Sequence, residues 1–225
     1  TTPWTLPSNT ALTLGGKIEY SFIKTFNQYT KEKITVVLAT SLIKKVFAKN
    51  FFNVKKENKL GFFKESDTKI PYYIVSSYNG VDFENLKYER IWDESPLPID
   101  NPENAFRVIL GDFVTTEDGT GIVHTAPTFG ADDYKAAKSA KPEVPPLLVP
   151  DKNGNKVPLV DLKGKFIDDI GLISGKYVKN EFYKEDEIPE KSVDVEIAIK
   201  LKEKNLAFKV ERYTHSYPHC WRTDK

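Results

Sequence analysis

The chain has little of several residue types, and each shortage excludes a class of protein. Its 225 residues include one cysteine, Cys220, and 33 basic residues against 32 acidic ones, for a net charge of +1. One cysteine excludes an intramolecular disulfide framework and is typical of a reducing compartment, so we expect a cytoplasmic protein. A nearly balanced charge argues against a surface that binds polyanions throughout, so we expect any contact with nucleic acid to be local.

Long apolar runs and methionine are also absent. The most apolar stretch, residues 34–39, is far shorter than the roughly 20 residues that a membrane helix needs. Residues 1–10 carry no basic region followed by an apolar one. We therefore expect no membrane segment and no signal peptide. Because no methionine occurs, we expect the sequence to be part of a longer natural protein.

The pattern of apolar residues predicts more strands than helices. Alternation and aromatic or β-branched runs predict strands at residues 17–23, 34–38, 70–78 and 106–114. Apolar spacing and capping residues predict helices at residues 41–50, from residue 132 onward and at residues 192–205. The order lacks regular strand-helix alternation, so we expect a mainly β, α+β fold: one domain over residues 1–225, with a twisted barrel-like sheet and peripheral helices.

One loop, GTGIVHTAPTFGADDY at residues 119–134, concentrates polar chemistry. Its glycines and proline interrupt regular structure, so we expect His124, Thr125, Asp132 and Asp133 to surround one concave surface. His124 is either a strand-end histidine that the backbone satisfies or a site residue. The aspartates are either helix-start residues or an acid-base pair. Adjacent side chains point in different directions, so we expect Asp132 to cap the helix and Asp133 to face the pocket.

Other motifs carry weaker signals. The peptide TTPWTLPSNTAL, residues 1–12, places hydroxyl groups and an amide on a backbone stiffened by two prolines. Neither glycine pair continues into a phosphate-binding GxxxxGK[ST] loop, and no GxSxG nucleophile motif occurs. His215, His219 and Cys220 lack a second ligand pair at zinc spacing, so we expect no metal site.

Two of these motifs, residues 1–12 and 119–134, together resemble the editing domain (connective peptide 1) of isoleucyl-tRNA synthetases. Residues 80–89 and 213–222 resemble intervening and closing segments of that family, so the resemblance covers nearly the whole chain. The PWTLP sequence and His124 favour the isoleucyl family over the valyl and leucyl relatives, which remain the alternative. The resemblance also implies that residues 211–225 return toward the catalytic core of the synthetase.

The resemblance implies hydrolysis of valine wrongly esterified to tRNA(Ile), and also of valyl-adenylate as a further substrate. The implied partners are the 3′ end of the mischarged tRNA and the catalytic core of the same, monomeric chain. It implies no cofactor for the domain itself, while the parent synthetase uses ATP and magnesium.

The resemblance also assigns roles to individual residues. It implies that Asp133 holds the α-ammonium of the substrate and that His124 helps to exclude the larger isoleucine side chain. The residues that it places in catalysis are Thr1, Thr2 and Asp133. Those that it places in substrate binding are Asn9, His124, Thr125 and Asp133.

Two departures from the family pattern bear on the mechanism. Thr128 and Phe129 replace a Gly-His pair found in many bacterial members, which excludes a mechanism that uses that histidine as a base. Thr223 stands where some members have a second cysteine, which weakens a zinc site further. We therefore expect an ordered water to attack the ester.

Two rival functions remain open. One is a module that only binds the tRNA acceptor end, and the other is a free-standing deacylase, which the closing segment disfavours.

Overall fold

A computed structural model of the chain describes residues 1–211. Its first half contains the strands β1 (Ala11–Leu14), β2 (Glu19–Phe26), β3 (Lys33–Ala39), β4 (Phe51–Asn53) and β5 (Ile70–Asn79), with the helix α1 (Ile43–Val46) between β3 and β4. Its second half contains β6 (Arg107–Leu110), β7 (Ile122–Thr125), α2 (Ala131–Ser139), β8 (Leu148–Pro150), β9 (Lys156–Pro158) and α3 (Val193–Glu203). Short 3-10 helices connect them, among them Pro3–Ser8 and Glu57–Phe62.

A three-stranded sheet of order β6-β1-β7 carries the two site motifs. The central strand β1 runs parallel to β6 and antiparallel to β7, with Leu12 opposite His124. The amino-terminal peptide leads directly into β1, and the 119–134 loop contains β7. The sheet therefore joins segments that lie more than a hundred residues apart in the sequence.

A four-stranded sheet of order β3-β2-β5-β4 forms the larger β layer. Strand β2 pairs antiparallel with both β3 and β5, and a bulge lies between Phe22 and Ile23. Tyr20, Ile23 and Leu38 belong to its hydrophobic core. Burial does not alternate strictly along the long strands, and β5 is buried only over its first three residues. The aromatic and β-branched composition of these strands explains why they were predictable from the sequence.

A second hydrophobic core forms around α3. Val193, Ile197 and Leu201 are buried at a spacing of four residues, as the sequence predicted, and pack with Trp92 and Leu147. Within residues 1–211, no helix combines the length and the apolar character needed to cross a membrane.

The expected fold class, mainly β with few helices, is confirmed, but the described strands form separate sheets and do not close into a barrel. The helix expected at residues 41–50 contains one α-helical segment of four residues, preceded by a 3-10 turn without side-chain caps. Lys49 adopts a left-handed φ of 64°, which turns the chain toward β4. The strand expected from residue 106 begins at Arg107, because Phe106 also has a positive φ. The expected return segment, beyond Glu211, lies outside the described residues.

Candidate active site

The pairing of β1 with β7 brings the amino-terminal peptide against the 119–134 loop. The 3-10 helix Pro3–Ser8 ends at Asn9, and the Thr10 amide donates a 3.1 Å hydrogen bond to the Thr125 carbonyl. Ser8, Asn9 and Thr10 are all buried. The peptide is therefore part of the folded domain rather than a loose leader.

His124 lies at the centre of a continuous hydrogen-bond network. The Asn9 amide nitrogen is 2.8 Å from His124 Nδ1 and 2.8 Å from the Ala11 carbonyl, so this amide donates to both. Nδ1 is then the acceptor nitrogen, and Nε2 carries the proton that it donates to Thr5 Oγ1 at 3.2 Å. Thr5 in turn donates to the Thr2 carbonyl at 2.9 Å. Both ring nitrogens of His124 are thus committed to protein partners.

Burial keeps His124 neutral. Removal of the ring from water lowers the pKa of His124 to about 4, well below the 6.5 of a solvated imidazole. The opposite end of the network is a phenol, since the Tyr88 hydroxyl donates to Asn9 Oδ1. Burial also raises the pKa of Tyr88 far above its usual range. The network is therefore uncharged at neutral pH.

Thr125, the last residue of β7, faces the interior. Its side chain is completely buried, and its hydroxyl lies 2.6 Å from that of Thr13 on β1. This hydroxyl pair links the two strands, and the substrate-binding role expected for Thr125 remains a prediction.

The two adjacent aspartates occupy different environments. Asp133, in the first turn of α2, accepts a 2.9 Å hydrogen bond from the Ala126 amide, and burial raises the pKa of its carboxyl. Asp132 is exposed and lies 3.5 Å from Lys135. The expectation that Asp132 caps the helix is wrong, because Gly130 is the capping residue and no side chain caps this end.

Gly130 makes room for the Asp133 carboxyl. A Cβ at position 130 would lie 2.9 Å from both Asp133 Cγ and Asp133 Oδ2, which is closer than real Cβ atoms approach. The φ of Gly130, −130°, is open to any residue, so its backbone does not require glycine. A side chain at this position would instead displace the Asp133 carboxyl.

Thr1 and Thr2 are both exposed at the start of the peptide. The Thr2 carbonyl accepts bonds from the amide and the hydroxyl of Thr5, so it connects to the His124 network through its backbone. The catalytic roles expected for the two hydroxyl groups remain predictions.

The helix α3 holds the peptide from outside. The Asp194 carboxylate accepts a 2.9 Å hydrogen bond from the Trp4 amide, across 190 residues of sequence. The Trp4 ring packs edge-on against Phe129, with a centroid distance of 5.0 Å. Phe129 thus contributes an apolar contact at the position where many family members have a histidine.

Comparison with known proteins identifies the relatives of this chain. It is 48% identical over its whole length to the isoleucine–tRNA ligase of Cytophaga hutchinsonii, and it covers 20% of that enzyme. It is 45% identical to the isoleucine–tRNA ligases of Bacteroides fragilis and Porphyromonas gingivalis, again over all of this chain and 20% of each enzyme. The chain belongs to the isoleucine–tRNA ligase family. It spans about a fifth of the length of the curated relatives that it matches.

The other comparisons add little to this assignment. No protein-family model matches the chain. The crystal structure of GlLeuRS-CP1 overlaps 61% of this chain and 40% of its own, with a TM-score of 0.38 and 16% sequence identity. So low a score carries no weight, and membership of the isoleucine–tRNA ligase family rests on the sequence matches. The resemblance predicted from residues 1–12 and 119–134 is confirmed.

In this isoleucine–tRNA ligase segment, the structure adds site residues that the sequence reasoning did not select. Thr5 and Tyr88 complete the His124 network, and Asp194 fixes the backbone that carries it. Thr5 was visible as one hydroxyl among several in the amino-terminal peptide. Nothing in the sequence singled out Tyr88 or Asp194, whose contacts bridge 79 and 190 residues.

The arrangement limits the chemistry that this isoleucine–tRNA ligase segment can perform. Among residues 1–211, no group of three or more His, Cys, Asp or Glu side chains is placed to hold a metal ion. His215, His219 and Cys220, for which no metal site was expected, lie outside that range. His124 has no free acceptor nitrogen with which to activate a nucleophile, and a pKa near 4 makes it a weak base at neutral pH. The half-buried Asp133 carboxylate, bonded to an amide two residues after the neutral His124, is suited to binding a cation.

Proposed function

We propose that this chain is the editing domain of an isoleucine–tRNA ligase and that it hydrolyses valine wrongly esterified to tRNA(Ile). The observation that carries the proposal is the hydrogen-bond network through Asn9, His124 and Thr5, which joins the two family motifs. The Ala126 amide, which donates to the Asp133 carboxyl, follows His124 by two residues. Isoleucyl-tRNA synthetase is itself the standard example of double-sieve editing, in which a second, smaller site removes what the first cannot reject.

Asp133 is the proposed binding group for the substrate's α-ammonium. Its carboxyl keeps one hydrogen bond, from the Ala126 amide, and is only partly buried, so it has further acceptor capacity toward the solvent side. Burial disfavours its charged form, and an incoming ammonium relieves that cost by charge pairing. The carboxylate therefore gains most when an aminoacyl group is present.

His124 is the proposed size filter. Its ring is held at both nitrogens and kept neutral, so it presents a wall that does not rotate away from a larger side chain. Close-packed protein groups yield little to one added methylene. Valine would fit beside this wall, and isoleucine would meet it.

The proposed reaction is attack of an ordered water on the aminoacyl carbonyl carbon. The water oxygen bonds to the carbonyl carbon and the ester C–O bond breaks. One water proton goes to the leaving ribose oxygen, the other goes to solvent, and the amino acid leaves as a carboxylate. Thr1 and Thr2 are the proposed donors to the ester or the terminal adenosine, and the exposed position of both hydroxyl groups supports this role. The step needs no cofactor in this domain, and ATP and magnesium would serve aminoacylation in the rest of the enzyme.

The test is deacylation of Val-tRNA(Ile) by the complete enzyme carrying Asp133→Asn. Loss of one partner of a partly buried charge pair costs roughly 2–5 kcal/mol, so we expect kcat/KM to fall by at least about 30-fold. Asp132→Asn is the matched control, because it removes the neighbouring, exposed carboxylate of the same helix turn. Equal activity of the two variants would show that Asp133 does not bind the ammonium. Tight tRNA binding by the unmodified enzyme without ester loss would favour a module that only grips the acceptor end.

A second test addresses the filter. His124→Ala removes the wall, so we expect the variant to hydrolyse Ile-tRNA(Ile), which the unmodified enzyme leaves intact. His124→Gln keeps much of the volume and one amide donor, and we expect it to hydrolyse less Ile-tRNA(Ile) than the alanine variant. If Ile-tRNA(Ile) were equally stable with all three proteins, His124 would have no part in sorting.

A further inference from the structure

A lysine-rich segment, residues 44–69, lies between β3 and β5 and differs in charge from the rest of the chain. It contains eight lysines and three acidic residues, for a net charge of +5. Because the whole chain has a net charge of +1, the remaining residues together carry −4. The nearly neutral composition therefore conceals one strongly basic region.

The charges of this segment face solvent and are largely uncompensated. All eight lysines are exposed. Within residues 1–211, only Lys45 among the eight forms an ion pair, with Asp118. Of the three acidic side chains, Glu57 is already paired with Lys24 of β2. A set of unpaired cations of this kind attracts a polyanion and releases its counterions on contact.

Exposed aromatic rings accompany the lysines. Phe62 is 71% exposed and Phe52 is 45% exposed. The Lys59 ammonium lies 5.0 Å from the centre of the Phe62 ring. Rings interleaved with lysines suit unpaired nucleotides, which stack on an aromatic face while their phosphates meet the cations. An acidic peptide or an anionic lipid would use the charge but not the flat ring faces.

A groove lies between this segment and the four-stranded sheet. It has a volume of about 590 Å³ and lies between the 3-10 helix Glu57–Phe62 and strands β2 and β3. Lys24 and Lys33 line it together with the apolar Leu60. Glu57 also lines the groove and pairs with Lys24, so Lys33 is the cation that extends the basic surface onto the four-stranded sheet.

The lysine-rich segment lies near the candidate active site. The Lys45 ammonium also donates to the Glu117 carbonyl, in the loop that leads into β7. Asp118 and His124 are six residues apart, which extended chain spans in about 20 Å at most. A nucleic acid whose 3′ end lies at His124 therefore has Lys45, the segment's lysine at this loop, within reach.

We propose that the lysine-rich segment is a second tRNA contact surface, which binds phosphates and unpaired bases of the acceptor end outside the editing pocket. The inference rests on the proposed function, because tRNA is the partner that this function supplies. The surface adds affinity without contacting the ester.

The test compares two triple variants of the complete enzyme in binding uncharged tRNA(Ile). Lys55→Gln/Lys56→Gln/Lys59→Gln neutralises the segment, and Lys152→Gln/Lys163→Gln/Lys191→Gln removes the same charge from exposed, distant positions. If each segment lysine meets one phosphate, the plot of log K against log salt loses a slope of about 2 to 3. Over a four-fold rise in salt, the unmodified enzyme then loses about 20- to 40-fold more affinity than the segment variant. Equal slopes for the two triple variants would overturn the proposal.

Further arms separate the partner classes and the two proposals. Phe62→Ala is expected to weaken tRNA binding. If polyglutamate competed for the segment as well as tRNA does, the surface would be purely electrostatic, and the assignment to nucleic acid would be overturned. Hydrolysis of a valyl ester of adenosine alone should be unchanged in the segment variant, while kcat/KM for Val-tRNA(Ile) falls. If the segment variant weakened tRNA binding while no ester were hydrolysed by any protein, the segment would stand and the editing function would fail. If esters were hydrolysed and the segment variant bound tRNA as tightly as the unmodified enzyme, the editing function would stand and the segment proposal would fail.

Discussion

His124 illustrates how burial converts a titratable side chain into a fixed wall. In the unfolded chain its imidazole takes up a proton below about pH 6.5, whereas the folded protein resists protonation down to a pKa of about 4. Between these two values the unfolded state binds more protons, so the free energy of unfolding decreases as the pH falls.

This difference predicts acid sensitivity of the fold. From pH 7 to pH 5 the His124 contribution should lower the free energy of unfolding by about 2 kcal/mol. Denaturant titrations of the chain at both pH values measure it, with His124→Gln as the control, because that variant lacks the titrating group. The prediction fails if the variant shows the same pH dependence as the unmodified protein, or if NMR places the His124 midpoint near 6.5.

Asp133 predicts a pH dependence of the editing reaction. Only the carboxylate binds an ammonium, and burial raises the pKa of this carboxyl above its ordinary value of 3.8. In the free enzyme the acid limb of kcat/KM should therefore lie above pH 3.8. A bound ammonium favours the charged form, so the acid limb of kcat should lie at lower pH than that of kcat/KM. Coincident limbs for Val-tRNA(Ile) hydrolysis would argue that no cation meets Asp133.

At the residue level, the sequence could predict local roles but not distant partners. Adjacent positions at a helix start diverge, and this geometry correctly separated the exposed Asp132 from the half-buried Asp133. It did not reveal that Gly130 caps the helix, because the preference of aspartate for caps is only statistical. Tyr88 and Asp194 reach the site through tertiary contacts that no local pattern encodes.

At the level of elements, α3 supports the amino-terminal 3-10 helix. The Trp4 amide has one partner, the Asp194 carboxylate, and this bond fixes the backbone from which Thr5 extends to His124. The Asp194 carboxylate is partly desolvated, which raises its pKa, and its oxygen accepts the bond from the Trp4 amide. Asp194 is therefore a positioning residue for the site.

Removal of this support predicts a looser peptide. Asp194→Ala leaves a partly buried amide without its acceptor, which costs at most about 1–3 kcal/mol. Hydrogen exchange at Trp4 should accelerate by roughly 5- to 100-fold, and kcat for Val-tRNA(Ile) should fall more than KM rises. Asp194→Asn keeps a carbonyl acceptor and should restore part of the activity. Glu203→Ala, which removes an exposed carboxylate from the same helix, is the control, and equal exchange rates in both alanine variants would refute the role.

The elements themselves were predictable in proportion to their length. Strand β5 was expected at residues 70–78 and spans Ile70–Asn79, and the helix expected at 192–205 spans Val193–Glu203. Long periodic segments carry many agreeing positions, whereas α1 has four residues and was expected to have about ten. Its end depends on the left-handed φ of Lys49, which no apolar periodicity signals.

At the scale of the molecule, the candidate active site lies between two hydrophobic cores. Trp4 and Leu6 of the peptide pack against the core around α3, while Leu12 and Ile122 pack against the core of the four-stranded sheet. The sequence predicted a mainly β fold but not the division into sheets. That division depends on which strand edges meet, and a single sequence contains no record of such pairings.

Tyr20 connects the two larger sheets. It is completely buried on β2, and its hydroxyl accepts a 2.9 Å bond from the Gly15 amide and donates a 2.7 Å bond to the Gly121 carbonyl. Leu14 at the end of β1 lies opposite Ile122 at the start of β7, so Gly15 and Gly121 mark the same end of the three-stranded sheet. One phenol therefore holds this end against the four-stranded sheet. Gly121 also needs its positive φ of 74°, and a Cβ there would lie 2.6 Å from that of Ala39.

Tyr20→Phe tests this connection with the loss of a single oxygen atom. The ring still fills the core, but two buried backbone groups lose their partner, so we expect the free energy of unfolding to fall by about 2–4 kcal/mol. Tyr78→Phe is the matched control, since that phenol lies on β5 of the same sheet and is 49% exposed. Denaturant unfolding of both variants measures the difference. Because Gly121 leads directly into the strand that carries His124, Tyr20→Phe should also raise the hydrolysis of Ile-tRNA(Ile). If the variant were less stable but left Ile-tRNA(Ile) intact, Tyr20 would contribute to the fold and not to substrate selection.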